Sequence, residues 1–331
     1  LFKKFRLHRE ENGNILVMFA FYFLIFIGIS GLVIDVGILY KTKSELRKTA
    51  NTSVLSGGQE LLNSGSAVLL GPQELLNSES LVAPIVQEIL KADGEEGSLK
   101  RIVIKPNGEN KLKVTLEKRV PLHFMKLFGM NEFTVEASAS GILVPMVAGL
   151  RAVPLGIDSS IDLKNDGTEY QLKVGAGDST IGNFGVLQLS GKGSTDYQSD
   201  LKYGFNEVIK AANADGTGGD VLPTKTGNMD GNTRDAINYR ISSSPYPEGP
   251  PYYSDDPRII LIMKYEPIYG AGKQLTSVRV VGFAFFYILK PMSQHDTTIT
   301  GKFIESVGGG VGDENAADTG AYVVKLVEDI E

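Results

Sequence analysis

Apolar and polar positions are unevenly sorted along this chain. Residues 15–34 read ILVMFAFYFLIFIGISGLVI, twenty positions without a charge. A helix of about 20 residues crosses a hydrocarbon core of roughly 30 Å, and a buried soluble helix rarely stays apolar on every face for that long. The run therefore predicts a membrane helix. A cleaved secretory signal would have a shorter apolar run and a small-residue exit, which Val33-Ile34-Asp35-Val36 does not supply. After Gly37 no breaker appears before Gly57-Gly58, and apolar or small residues recur at Leu39, Leu46, Ala50, Val54 and Leu61. Steps of seven and four keep one helical face. The pattern predicts a single helix from residue 15 to about residue 63, on the order of 70 Å long, with roughly half projecting beyond the bilayer.

The sequence GGQELLNS at 57–64 returns as GPQELLNS at 71–78, fourteen residues on. This reads as a duplicated helical segment broken near Gly71-Pro72, followed by a short helix over 81–92. Strand-like alternation follows at 101–104 and 111–116, separated by Pro106-Asn107-Gly108, and Asn-Gly between alternating runs signals a hairpin. Residues 120–128 (VPLHFMKLF) suit a short helix, and 133–144 alternate again as a third strand. Beyond Arg151 the expected strands are 170–174, 184–189, 259–264, 278–289, 298–304 and 322–327, with helices at 201–212 and 233–241. The segment 278–289 is apolar at nearly every residue and predicts a central strand. PYPEGPP at 245–251 predicts a stiff exposed connection. The expected fold class is α+β: a long N-terminal membrane and stalk helix, an antiparallel sheet in an order that resembles that of pilin-like subunits, then a β-rich distal domain. The expected divisions are 1–14, a basic tail; 15–40, a transmembrane or filament-core helix; 41–148, stalk helix and antiparallel β domain; and 149–331, the distal α+β domain.

Charge sharpens this picture. Residues 1–50 hold eight Lys+Arg against four Asp+Glu, and the remainder holds 25 against 35. Nothing builds a large basic field, so no nucleic-acid partner is expected. Lys3, Lys4, Arg6 and Arg9 precede the apolar run and Lys41, Lys43, Arg47 and Lys48 follow it, so the positive-inside rule is tied. Economy of topology favours a short inside tail and a large exported remainder. There is no cysteine among the 331 residues, which excludes disulfides, thiolate metal sites and a cysteine nucleophile. The first residue is Leu1; an omitted initiator Met is the simpler reading, and a processed N-terminus is the other.

Within the apolar run, Gly28, Ser30 and Gly31 are small enough to let another helix backbone approach. They read either as ordinary membrane-helix residues or as a packing notch. Asp35, at the far edge, reads either as an interfacial charge or as the partner of another subunit. Elsewhere, Asp215, Asp220, Asp230, Asn232 and Asp235 have calcium-type oxygens, but the EF-hand spacing is absent and turn chemistry explains them equally well. The LPTKTG stretch at 222–227 is a near miss to a sortase signal. Ser293, His295 and Asp296 are adjacent, and adjacency does not orient a triad. Neither a G-x-S-x-G elbow nor a phosphate clamp is present, so no enzyme and no cofactor are expected.

The stretch ENGNILVMFAFYFLIFIGISGLVIDVGILYKTKSELRKTAN resembles the TadE/TadG-like proteins of Tad (Flp-type) pilus systems. The shared features are Glu11 and Gly13 before the run, a VIDVG exit over 33–37, and Tyr40, Arg47 and Ala50 beyond it. More diffusely, GNFGVLQLSG, TKTGNMDGNTRDAINYRI and VRVVGFAFFYI are similar to the C-terminal region of some members. Many TadG-like members carry a DxSxS metal motif; Asp158-Ser159-Ser160-Ile161-Asp162 lacks the final Ser, and no such site is expected. The resemblance implies a membrane-anchored, outward-facing protein of surface pili or their assembly machinery. The expected function is a non-enzymatic structural subunit of a bacterial surface filament. Its self-association helix would be marked by Ile15, Phe19, Phe23, Gly28, Gly31 and Asp35, and its charged flank by Lys3, Lys4, Glu10 and Glu11. Expected partners are membrane lipids and either further copies in a helical filament or other pilus subunits. The expected location is the inner membrane, single-span with C-terminal domains outside, or an extracellular filament. The alternative is a membrane-tethered adhesin or monomeric assembly factor whose distal domain binds a ligand.

Overall fold

A computed structural model describes residues 12–63, 74–105, 111–173, 184–224, 229–250, 252–270 and 275–328. Helix α1 (Asn12–Asn63) is unbroken over 52 residues. It passes through Gly57-Gly58, where each glycine costs about 1 kcal/mol relative to Ala. The return is close packing. A Cβ on Gly57 would stand 2.8 Å from Val82 Cγ1, and one on Gly58 would stand 3.0 Å from Val324 Cγ2. The predicted stripe is the buried one, with Leu46, Ala50 and Val54 fully enclosed and Leu61 nearly so.

Helix α2 (Glu74–Ala92) differs from the expected short helix over 81–92, because it begins earlier and runs straight through Pro84. The proline ring faces outward, while Val82, Val86 and Leu90 step by four into the core against α1. That buried face holds together a helix whose proline costs about 3 kcal/mol. Thr49 Oγ1 of α1 donates to the Asp93 carboxylate at 2.7 Å, tying the end of α2 to the stalk.

Strands β1 (Leu99–Lys105) and β2 (Lys111–Pro121) pair antiparallel, with Lys105 opposite Lys111. The turn expected at Asn107-Gly108 lies outside the described residues. Residues 120–128 are not the expected helix: β2 continues to Pro121, Val120 pairs with Phe133, and only a 3₁₀ turn (Met125–Phe128) remains. Gly129, at φ 85°, ends that turn. Strand β3 (Glu132–Gly149) is 18 residues long and passes well beyond the expected end at 144.

The remaining elements are β4 (Ala152–Asp158), β5 (Glu169–Lys173), β6 (Phe184–Val186), α3 (Ser194–Tyr203), β7 (Ile209–Lys210), β8 (Val221–Pro223), α4 (Asp230–Ser243), β9 (Ile259–Tyr269), β10 (Leu275–Ile288), β11 (Thr298–Ile304), β12 (Ser306–Val307), β13 (Gly310–Gly312) and β14 (Ala321–Val327). The helix expected over 201–212 lies earlier, as α3. Its start is fixed by Asp196, whose carboxylate accepts the Gly193 N–H at 3.1 Å, and it ends at Gly204, at φ 79°. Strand β4 was not foreseen, because Pro154 and Gly156 mask an otherwise apolar run. All seven of its residues are buried, and Gly156 lies under the Tyr265 ring, 2.7 Å from where a Cβ would sit.

The first sheet runs β1-β2-β3-β14-β12, with β7 and β13 also on β3. The second runs β5-β11-β10-β9-β4-β6, with β8 on β10, so β10 is central as its apolar run predicted. The last strand, β14, thus leaves the second sheet's neighbourhood and pairs with residues 140–145 of β3. Helix α1 and α2 cover one face of the first sheet, packing Leu46, Ala50 and Val54 on Leu112, Val114, Leu116 and Val135. Helices α3 and α4 cover the second sheet through Tyr197, Leu201, Ala236 and Ile237. The link between the sheets turns at Arg151, a non-glycine residue at φ 67° whose guanidinium donates to the Tyr203 carbonyl at 3.1 Å.

Candidate membrane and assembly helix

Helix α1 changes character near Asp35. Beyond it, one face is core. Before it, apolar side chains face outward on nearly every position, including Ile15 (69% exposed), Phe19 (69%) and Phe23 (55%). The segment is long and apolar enough to cross a membrane. Phe19 and Phe23 stack one turn apart, ring centroids 6.5 Å from each other.

Gly28, Gly31 and Asp35 have three different environments. Gly28 is open, with nothing within 4 Å of an added Cβ. It lies in a shallow apolar groove of about 530 Å³ with Phe21, Leu24, Ile25, Ile29, Leu32 and, from a distant part of the chain, Phe128. Gly31 is a notch filled from within the same chain: an added Cβ would sit 2.2 Å from the Phe124 ring. Asp35 is 1% exposed. Its Oδ1 accepts the His123 N–H at 2.9 Å, and its Oδ2 accepts those of Phe124 at 2.9 Å and Met125 at 2.8 Å. The partner of Asp35 is therefore the start of the 3₁₀ turn in its own chain. The N–H groups at the head of any helical turn lack intrahelical acceptors, and a carboxylate supplies them with the favourable sign of charge. The exposed His123 ring stands 3.9 Å from Oδ1 and adds to the same sign when protonated.

Sequence reasoning missed the turn itself. Leu127, Phe128, Met130 and Phe133 are all substantially exposed. The available signal was that LHFMKLFGM carries bulky apolar residues without an amphipathic period, behind a helix-breaking Pro121. The flank residues Lys3, Lys4, Glu10 and Glu11 lie outside the described residues.

The distal chemistry disperses. Asp215 accepts from the Thr217 N–H and hydroxyl, Asp220 from the Lys210 N–H, Asn232 donates to the Ser194 carbonyl, and Asp235 accepts from Gln198. These are local turn and tie interactions, and among the described residues no group of three or more His, Asp or Glu is arranged to hold a metal. Asp158 accepts from the Ser160 N–H and hydroxyl, closing the turn after β4. Asp296 accepts the Ser293 N–H at 2.6 Å, so those residues form a turn. A recess of about 300 Å³ gathers Asp162, Asn165, Lys264, Glu305 and Asp318. Burial, with Asp318 nearby, holds the Glu305 carboxyl above its ordinary value, and burial lowers the Lys264 ammonium. The Asp318 carboxylate is taken up by the Tyr322 hydroxyl at 2.7 Å.

No family model, no curated protein and no solved structure matches the chain.

Proposed function

We propose that this chain is a non-enzymatic structural subunit of a bacterial cell-surface pilus or filament, held in the membrane and assembled through its N-terminal helix. One observation carries the reading. A single unbroken helix presents apolar side chains to its surroundings over residues 15–36 and buries its later stripe in the chain's own sheet. A helix of this kind has two compatible environments, lipid and a bundle of sister helices, because the two are similarly apolar. The likeness of residues 10–55 to TadE/TadG-like proteins supports the same reading, with the β-rich domains on the exported side.

Electron microscopy of the natively purified protein tests it. Helical fibres are expected; detergent-bound monomers would favour an assembly factor or a tethered adhesin. The informative variant is Gly28→Leu. An added Cβ at Gly28 meets nothing within 4 Å, so loss of fibres on this substitution, with the subunit's thermal stability unchanged, reports packing between copies rather than a damaged fold. Replacing residues 15–27 with an unrelated poly-Leu span, which leaves Gly31 and its contact with Phe124 in place, should likewise abolish fibres, and retained assembly would refute the proposal.

A further inference from the structure

We propose that the β2–β3 connection is a second membrane element, in which Leu127 and Phe128 enter the leaflet next to the globular domains while Asp35 locks the turn to the helix. The proposal rests on the membrane reading of residues 15–34.

Three observations lead to it. The first is exposure: Leu127 is 78% and Phe128 71% exposed, with Met130 beside them on the same tip. Large apolar residues crowded on one tip mark an interaction surface. The second is continuity with the span. Phe128 lines one groove with Leu24, Ile25, Gly28 and Leu32, and Gly28 lies seven residues, about 10 Å, below Asp35 along the helix. A bilayer that covers residues 15–34 therefore also covers Phe128.

The third is backbone chemistry. A non-helical segment in contact with lipid must satisfy its own polar groups. In this connection Leu122 N–H donates to the Asn131 carbonyl, Leu127 N–H to Phe124, Gly129 N–H to Lys126 and Met130 N–H to Met125. The N–H groups of His123, Phe124 and Met125 go to Asp35. Asp35 is thus a carboxylate at the membrane edge whose charge is enclosed by the donors it satisfies. The exposed Lys126 and His123 stand at the same tip, the residue types that suit a headgroup layer.

The cysteine-free chain permits single-site labelling. Phe128→Cys, Phe26→Cys in the span and Tyr239→Cys on the distal α4 would each carry an environment-sensitive fluorophore. The full chain would be reconstituted in phosphatidylcholine–phosphatidylglycerol vesicles, with and without nitroxide-bearing lipids. Blue-shifted emission and several-fold quenching are expected at 26 and 128 and not at 239. Quenching at 26 without quenching at 128 would overturn the proposal and leave the membrane reading standing. An absence of quenching at both would overturn both. A blue shift at 128 that grows with protein density and resists lipid quenching would assign the tip to a second copy, and would also overturn it.

Discussion

The backbone N–H of Phe124 donates to the Asp35 carboxylate at 2.9 Å across 89 residues of chain, while the Phe124 ring fills the notch left by Gly31 one helical turn earlier. A polar clamp and a steric notch therefore act on the same residue. They fix the connection between β2 and β3 against α1 at the level where the apolar span gives way to the stalk.

Asp35→Ala removes the acceptor for three amides. Hydrogen bonds to a charged group contribute about 1.5–3 kcal/mol each, so even one lost bond corresponds to roughly tenfold in local opening. Hydrogen exchange at the amides of 123–125, measured in lipid nanodiscs, should accelerate at least about tenfold, with helix content unchanged. Asp35→Asn, which keeps one oxygen, should fall between. Unchanged exchange in Asp35→Ala would disprove the clamp.

Gly31→Ala and Gly28→Ala should separate cleanly. The first places a methyl 2.2 Å from Phe124 Cδ1, whereas the second meets open space. Overpacking of this kind costs about 1–3 kcal/mol. Trypsin should cut after Lys126 faster in Gly31→Ala and at the parental rate in Gly28→Ala. Equal rates in both would remove the notch from the argument.

Helix α1 rests on the first sheet at Gly141, where an added Cβ would lie 2.5 Å from Val54 Cγ1. Gly141→Val should lower thermal stability by about 1–3 kcal/mol or more. The double variant Gly141→Ala with Val54→Ala should recover part of the loss relative to Gly141→Ala alone. Additive losses would show that the two residues do not meet.

Beside the second sheet the buried Arg258 pairs with Asp256 at 2.7 Å and also donates to the carbonyls of Tyr246 and Pro247. This anchors the start of the proline-rich segment. Arg258→Ala strands the buried Asp256 charge and should cost about 3–5 kcal/mol, read by calorimetry of the detergent-solubilised chain. A loss below about 1 kcal/mol would place that pair in water rather than in the core.

Glu305 supplies a pH dependence. Burial first, and Asp318 second, raise its folded-state pKa above 4.5. A carboxyl raised in the fold opposes folding when ionised, and the penalty is relieved as pH falls through the folded value toward the unfolded one. Glu305→Gln should therefore raise the melting temperature slightly at pH 7 and give no gain near pH 4. A gain that persists at the lower pH would point to packing instead.

Much of the helical part was legible because its signals are local. Twenty uncharged residues and a stripe at steps of seven and four specify a helix and its buried face without knowledge of any partner. Strands β5 and β11 and the central β10 were legible for the same reason, as apolar or alternating runs. Strand β4 was hidden by Pro154 and Gly156, residues that weaken a strand signal, and it forms because the sheet buries it on all sides. The stretch 120–128 misled because its composition suits a helix, while Pro121 and pairing with β3 claim its first residues.

The sequence by itself determined that residues 15–34 prefer an apolar environment and that the helix outlasts them, since both follow from side-chain chemistry repeated along a regular backbone. Only the tertiary structure decided what Gly31 and Asp35 are for. Their partners lie about ninety positions away, and contacts at that separation are set by how sheet and helix pack, which no local period encodes. The return of β14 to the first sheet is of the same kind: strand pairing satisfies backbone groups that every residue carries, so the choice of neighbour is made by the fold as a whole.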